Sequence, residues 1–220
     1  QRLVVAYAQA ALGAGVLLRS GAAVARVVVE DGRARGVVVE GDRFDADVVL
    51  VAAGAWTGQL LATADARLPV EPQRGQMVAL THVPPVLAHC VHGETVYLVP
   101  RPSGELLVGA TVERVGFQGV VTAAGIAGLL AAATALVPAL GKLAIGRMWC
   151  GFRPWVPDGL PVLGPWPGVE GLFVATGHYR SGILLAPVTA RLMTEWITAG
   201  RPSLAADDFL PGRYGTRGVR

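Results

Sequence analysis

GLFVATGHYRSGILLAPVTARLMTEWI, residues 171–197, is the stretch whose reading decides the fold. Leu172–Thr176 is a short apolar run with nothing polar before its end, the pattern of a strand in a sheet covered on both faces. Gly177 and Gly182 then bracket His178, Tyr179, Arg180 and Ser181. Behind them Leu185, Val188, Leu192 and Trp196 recur at spacings of three and four, one continuous apolar stripe of a helix. A strand, a glycine-flanked turn and a helix aim unpaired backbone N–H groups and a helix dipole at whatever lies beyond the strand end. An electron-rich cofactor edge fits there, and Arg180 sits in the same turn.

Immediately upstream lies CGFRPWVPDGLPVLGPWPG (150–168), which reads as a Gly/Pro-rich loop with Arg153 between Phe152 and Pro154. Aromatic and proline neighbours leave less water to compete for the guanidinium, which then suits a bidentate grip on a carboxylate. Spacing alone leaves an ordinary solvated loop arginine equally open.

Further out, residues 3–12 read as a helix stopped by Gly13 and Gly15, with a strand near 16–19. The Asp31-Gly32 dipeptide predicts a hairpin between Val24–Glu30 and residues 35–40. Gly41-Asp42 turns the chain again into a short strand at 43–45, and residues 48–52 read as a buried parallel strand. Beyond about residue 61, β-prone segments at 76–80, 95–100, 105–111 and 145–150 alternate with turns and one long helix. That pattern suits an antiparallel sheet with a helix on one face.

Composition sets bounds on function. The 220 residues, 52% hydrophobic and 16% charged, indicate a compact globular protein with a sizeable core. The net charge of +3 is not a nucleic-acid signal, because only Lys142 is lysine and the arginines are scattered. Their one local concentration, Arg213, Arg217 and Arg220, reads as a frayed terminus. Residues 119–141 carry no charge and are long enough to span a bilayer, but alanine and glycine dominate them and such helices insert poorly. A water-soluble helix with Ile126, Leu129, Leu130, Ala133, Leu136 and Val137 along one face is expected instead. Cys90 and Cys150 give no disulfide framework, and no secretory signal is legible. His82, His89, Cys90 and His92 lack metal-ligand spacing, so no metal site is expected. Ser181 has glycine neighbours without the context of a nucleophile elbow.

VVLVAAGAW (48–56), YLVPRPSGELLVGAT (97–111), GFRPWVPDGLPVLG (151–164) and GHYRSGILLAP (177–187) together resemble the C-terminal part of the FAD-dependent D-amino acid oxidase superfamily, glycine oxidases in particular. The fold this implies is α/β: part of a two-dinucleotide-binding-type FAD domain plus an α+β substrate domain with an antiparallel sheet. Residues 1–60 and 151–205 would belong to the FAD domain, 61–150 to the substrate domain and 206–220 to a tail. No Gly-x-Gly-x-x-Gly turn is present, so the chain is expected to begin partway through the FAD domain and to hold FAD poorly by itself.

The resemblance also implies roles. Arg153 would anchor a substrate carboxylate, with Tyr97 as a hydrogen-bond donor beside it; a strand tyrosine by itself is more often a packing residue. Arg180 would touch substrate and flavin. Flavin contact would run through Gly177, His178, Tyr179, Ser181, Gly182, Ile183 and Leu184. Ala53, Gly54, Trp56 and Gly151 would lie close to the cofactor, and Val24 on its adenine side. Sarcosine oxidases carry flavin on a cysteine comparable to Cys150, but GFRPW after it resembles the glycine oxidases, which hold FAD noncovalently. A buried structural thiol is therefore expected.

The reaction implied is hydride transfer from the substrate Cα to flavin N5, imine hydrolysis, and reoxidation by dioxygen to hydrogen peroxide, with no acid–base residue required. The substrate would be glycine, a small D-amino acid or a secondary amine. A cytoplasmic setting, a place in thiamine biosynthesis and a possible homo-oligomer come with the resemblance. A dehydrogenase passing electrons to a quinone would share these motifs, and a noncatalytic assembly unit is a rival of another class.

Overall fold

The computed structural model describes residues 2–81 and 86–215, so His82, Arg217 and Arg220 lie outside the described residues. Three sheets are formed by the described residues. The first is an antiparallel meander of β1 (Val24–Glu30), β2 (Arg33–Val39) and β3 (Asp42–Asp45). Both of its turns are two-residue loops with left-handed backbone: Asp31 and Gly32 at φ +51° and +71°, Glu40 and Gly41 at +54° and +96°. That geometry matches the twist of paired strands. The second turn sits one residue earlier than expected, so β2 covers Arg33–Val39 and not 35–40.

The second sheet has the order β10 (Val162–Pro165), β11 (Leu172–Thr176), β4 (Val49–Val51), with β11 parallel to β4 and antiparallel to β10. One face, through Val162, Leu172 and Val174, packs on Val27 and Ala34 of the meander and on Leu61 of a short helix α2 (Thr57–Ala62), the second helix after α1 (Arg2–Gly13). The other face, through Leu163, Phe173 and Ala175, packs on Leu192, Met193 and Trp196 of α4 (Gly182–Ala199). The two-sided burial read from Leu172–Thr176 is what the structure shows for β11. It does not hold for β4: α4 lies over β10 and leaves Leu50 at the sheet edge 41% exposed. The helix ends at Gly200, left-handed at φ +72°.

The third sheet is antiparallel, ordered β6 (Val91–His92), β7 (Tyr97–Pro100), β8 (Glu105–Gly109), β5 (Glu71–Thr81), β9 (Ala144–Trp155). Its strands are longer than their apolar cores suggested, because β5 and β9 pair along their whole length from Glu71↔Trp155 to Thr81↔Ala144. One face presents Val78, Leu80, Leu98, Leu106 and Val108 to Ile126, Leu129 and Ala133 of α3 (Ala123–Leu136). Leu136, expected on the buried stripe, is 39% exposed, since the helix ends there.

Three expectations are corrected. Residues 16–19 form no strand, because nothing pairs with them, and Leu17 is 93% exposed. Arg153 lies on β9, opposite Gln73, and not on a loop; pairing with β5 carries the strand through the prolines as far as Trp155. Arg213 is not frayed: its guanidinium donates to Asp158 and to the carbonyls of Phe209, Leu210 and Leu160. No described helix is long and apolar enough to cross a membrane.

Candidate functional site

The alternation of β-structure assigns the two faces of the third sheet. Even-numbered residues of β5 lie under α3, while Gly75, Met77, Gly109, Tyr97, Gly151 and Arg153 share the other face. Glycine here makes room for larger neighbours. A Cβ on Gly75 would stand 2.4 Å from both terminal nitrogens of Arg153, and one on Gly109 would stand 2.8 Å from the Tyr97 hydroxyl. The guanidinium therefore lies flat across the strand, where its Nη1–H donates to the Thr111 carbonyl at 3.1 Å. The Tyr97 hydroxyl has a sulfur, Met77 Sδ, at 4.0 Å, which leaves it able to donate elsewhere.

Tyr97 and Arg153, together with Thr95, Thr111, Val112 and Arg180, line a cleft of about 460 Å3. Arg180 reaches it from the second sheet. After β11, Gly177 turns the chain at φ +77°, where a side chain would press on Val156 and the Val162 nitrogen, 3.3 Å away. Tyr179 is also left-handed, at φ +49°, and its N–H donates to the Pro154 carbonyl at 3.2 Å. That bond ties the Arg180 turn to the strand of Arg153. The Ser181 N–H turns back to the His178 carbonyl at 2.9 Å, and α4 starts at Gly182.

The structure thus unites the three expected substrate residues at one cleft. It also places Ala53, Gly54 and Trp56 just beyond β4 and residues 177–184 just beyond β11, at the shared end of these parallel strands, where the Thr176 hydroxyl donates to the Gly54 carbonyl at 2.8 Å. Ala53 is half-buried just before the 3-10 turn Gly54–Trp56. Ser181 caps nothing with its side chain, and Ile183 and Leu184 are 77% and 81% exposed on the first turn of α4. His178 is half-buried, its Nε2 2.9 Å from the Thr189 hydroxyl. Burial pushes its pKa below the ordinary histidine value, which favours the neutral ring at pH 7. Gly151 is exposed beside Gly75, while Val24, 39% exposed at the start of β1, lies in the meander and away from the cleft. Cys150 is half-buried, not buried as expected, because β9 is the sheet's edge strand.

Two features had no signal in the sequence. Trp56 stacks on Phe117 at 5.2 Å and meets Phe152 edge-on at 5.7 Å, joining the end of β4 to the third sheet. These residues are 35 or more positions apart, and only the sheet arrangement brings them together. The second feature is a polar network beneath α3, in which Arg74 and Gln76 converge on Glu113. Spacing could not pair an arginine with a glutamate so far downstream.

The sequence profile of the FAD dependent oxidoreductase family matches residues 1–196. The chain belongs to that family. It is 39% identical over 201 residues to a glycine oxidase of Pseudomonas putida, covering 91% of this chain and 55% of the relative. It is 42% identical over 219 residues to the bifunctional protein ThiO/ThiG of Synechocystis, covering 97% of this chain and 32% of the relative. The crystal structure of glycine oxidase from Geobacillus kaustophilus superposes with a TM-score of 0.89 at 34% identity, over 99% of this chain and 58% of that one. The chain spans about half the length of the glycine oxidases it matches.

The residues present in this chain fit the family's flavin. At the end of β4, Gly54 is left-handed at φ +53° with open space where a Cβ would project. The opening N–H groups of α4 have no acceptor within the helix, and uncovered Ile183 and Leu184 supply apolar surface beside them. Polar donors next to exposed apolar side chains suit a ring system that is apolar in body and electron-rich at one edge.

Proposed function

We propose that this chain is the substrate-side part of an enzyme that oxidises glycine, a small D-amino acid or a secondary amine, using noncovalent FAD and dioxygen. The observation that carries the reading is the Arg153 guanidinium, laid over Gly75 and tethered by one N–H, with Tyr97 and Arg180 around the same cleft. A tethered planar fork suits a carboxylate, which it can grip with two parallel charge-assisted hydrogen bonds. The similarity to proteins named glycine oxidase supports a small substrate.

Arg153 and the Tyr97 hydroxyl hold the carboxylate, so the substrate enters with its Cα at a fixed height and angle in the cleft. Orientation of that kind is a large part of what a protein adds to a cofactor's chemistry. Arg180 closes the same cleft from the turn before α4. Bound FAD would supply the two-electron acceptor for the Cα–H, with dioxygen as the final acceptor and hydrogen peroxide as its product. The imine left on the substrate hydrolyses in water to an oxo acid and ammonia or an amine. Glu94, an exposed carboxylate on the cleft wall, is not needed as a base when the amine binds neutral. Val24 is assigned to the adenine side, and His178 and the first turn of α4 to the flavin.

The test is Arg153→Ala in the FAD-loaded enzyme. Losing a charge-assisted carboxylate pair of roughly 2–4 kcal/mol lowers kcat/KM for glycine by about 30- to 1,000-fold. Flavin content stays near normal, Arg153→Lys recovers part of the loss, and turnover of an amine lacking the carboxylate is little changed. Equal loss on both substrates would make Arg153 structural and sink the assignment.

A further inference from the structure

The segment that tethers Arg153 is itself held from the opposite face of the sheet. Residues 111–113 run beside the start of β5. The N–H of Arg74 donates to the Glu113 carbonyl at 2.9 Å, and that of Glu113 returns to Arg74 at 3.0 Å. The Thr111 N–H donates to the Gln76 carbonyl at 3.3 Å, and the Gln76 N–H to the Thr111 hydroxyl oxygen at 2.8 Å. Side chains then converge on one carboxylate. Glu113 Oε2 accepts from Nε of Arg74 at 3.1 Å and, at shorter range, from Nη2; Oε1 accepts from Gln76 Nε2 at 2.8 Å and from the Thr111 hydroxyl.

These groups are more ordered than a surface ion pair requires. Arg74 and Gln76 are buried, at 4% and 0% exposure, and Arg74 Nη1 also donates to the Gln118 carbonyl at 2.9 Å. Gln76 Oε1 accepts the Thr122 N–H at 2.7 Å, so the same amide fixes the residue that caps α3. Burial by itself would raise the Glu113 pKa; hydrogen bonds from Thr111, Arg74 and Gln76 outweigh it and hold the carboxyl below its ordinary value. Glu113 is thus a fixed anion at neutral pH, with four donor groups from three residues aimed at it. A buried polar network satisfied to this degree specifies one local geometry.

The geometry points to Glu113, with Arg74 and Gln76, as a set of positioning residues that act through Thr111 to set the plane of the Arg153 guanidinium. The chain of contacts is short: the Glu113 carboxylate takes the Thr111 hydroxyl, and the Thr111 carbonyl takes the Arg153 Nη1–H. With that N–H engaged, the remaining donors of the fork point in a constant direction. Released from Thr111, the guanidinium keeps its charge but loses its fixed plane, and grip on a planar carboxylate weakens before chemistry does. Of the side chains in this network, among the described residues only Thr111 lines the cleft.

This inference rests on the reading of Arg153 as the carboxylate anchor, and the experiment separates the two. In the FAD-loaded enzyme, Glu113→Gln presents an amide where donors from three residues now meet an anion. KM for glycine is expected to rise about tenfold with kcat within about twofold, while KM for a carboxylate-free amine stays unchanged. Thr111→Val, which keeps the carbonyl but removes the hydroxyl that donates to Glu113 and accepts the Gln76 N–H, gives the same split if Glu113→Gln folds poorly; Thr111→Ser restores the wild-type KM. Combining Glu113→Gln with Arg153→Ala adds nothing to the loss from Arg153→Ala alone. Equal losses on both substrates, or none on glycine, overturn the positioning role. If Arg153→Ala separates the substrates and Glu113→Gln and Thr111→Val do not, only this inference fails. If Arg153→Ala does not separate them, the anchor reading and this inference fail together.

Discussion

The two faces of the five-stranded sheet are made by the same strands and serve opposite ends. Beneath α3, Val78, Leu80, Leu98 and Val108 are each 1% exposed or less, and the polar side chains among them are paired. Toward the cleft, Gly75 and Gly109 occupy strand positions where a Cβ would collide with Arg153 and Tyr97. Glycine in a strand weakens it, and its value here is the space that lets Arg153 and Tyr97 lie down on the sheet. One face is built to be full and the other to leave room. The covered face supplies the rigidity on which the open face depends.

Neighbouring residues of β7 test the contrast most sharply. Leu98 is fully buried beneath α3, so Leu98→Ala is expected to remove about 2–5 kcal/mol of stability in urea unfolding, the usual cost of such a cavity. Tyr97→Phe, one residue away on the open face, should change stability by no more than about 0.5 kcal/mol, since its hydroxyl meets only a distant sulfur. Its effect should appear as a raised KM for glycine. Comparable destabilisation by the two variants would break the distinction.

A pair of glycine substitutions comes next in size. Gly75→Ala drives a methyl group into the Arg153 guanidinium and should lower kcat/KM for glycine by about 100-fold, with unfolding little affected. Gly125→Ala, in α3, puts its methyl 2.4 Å from Gln76 Nε2. Overpacking there costs about 1–3 kcal/mol, partly offset by the roughly 1 kcal/mol that alanine gains over glycine in a helix. A calorimetric scan of both variants, set beside their kinetics, shows whether the open face trades function and the covered face stability.

The smallest effect expected is on pH dependence at the turn before α4. Burial depresses the His178 pKa, so below the ordinary histidine range the unfolded chain binds a proton that the folded chain resists. Stability is therefore full above roughly pH 6.5 and declines as pH falls below it. The urea midpoint should drop between pH 7.5 and 5.5, and the drop should shrink in His178→Gln. An identical pH response in the variant would assign the decline to other groups.

The local sequence by itself determined the parts of this protein that depend on neighbours in the chain. The Asp31-Gly32 and Gly41-Asp42 turn signals located the meander, and the apolar run 172–176 with its glycines announced the strand, the turn and α4. The motifs around Arg153, Tyr97 and Arg180 marked the candidate site residues, although the glycines and prolines of the segment around Arg153 disguised a strand as a loop. Tertiary structure alone decided what those residues face. The diagonal approach of Gly75 to Arg153 follows from the register of β5 on β9, and the Trp56–Phe117–Phe152 cluster follows from two sheets meeting. The Glu113 network needs residues 74–76 and 111–113 side by side. Such contacts obey packing and hydrogen-bond satisfaction across long loops, and chain order records neither the register nor the face that results.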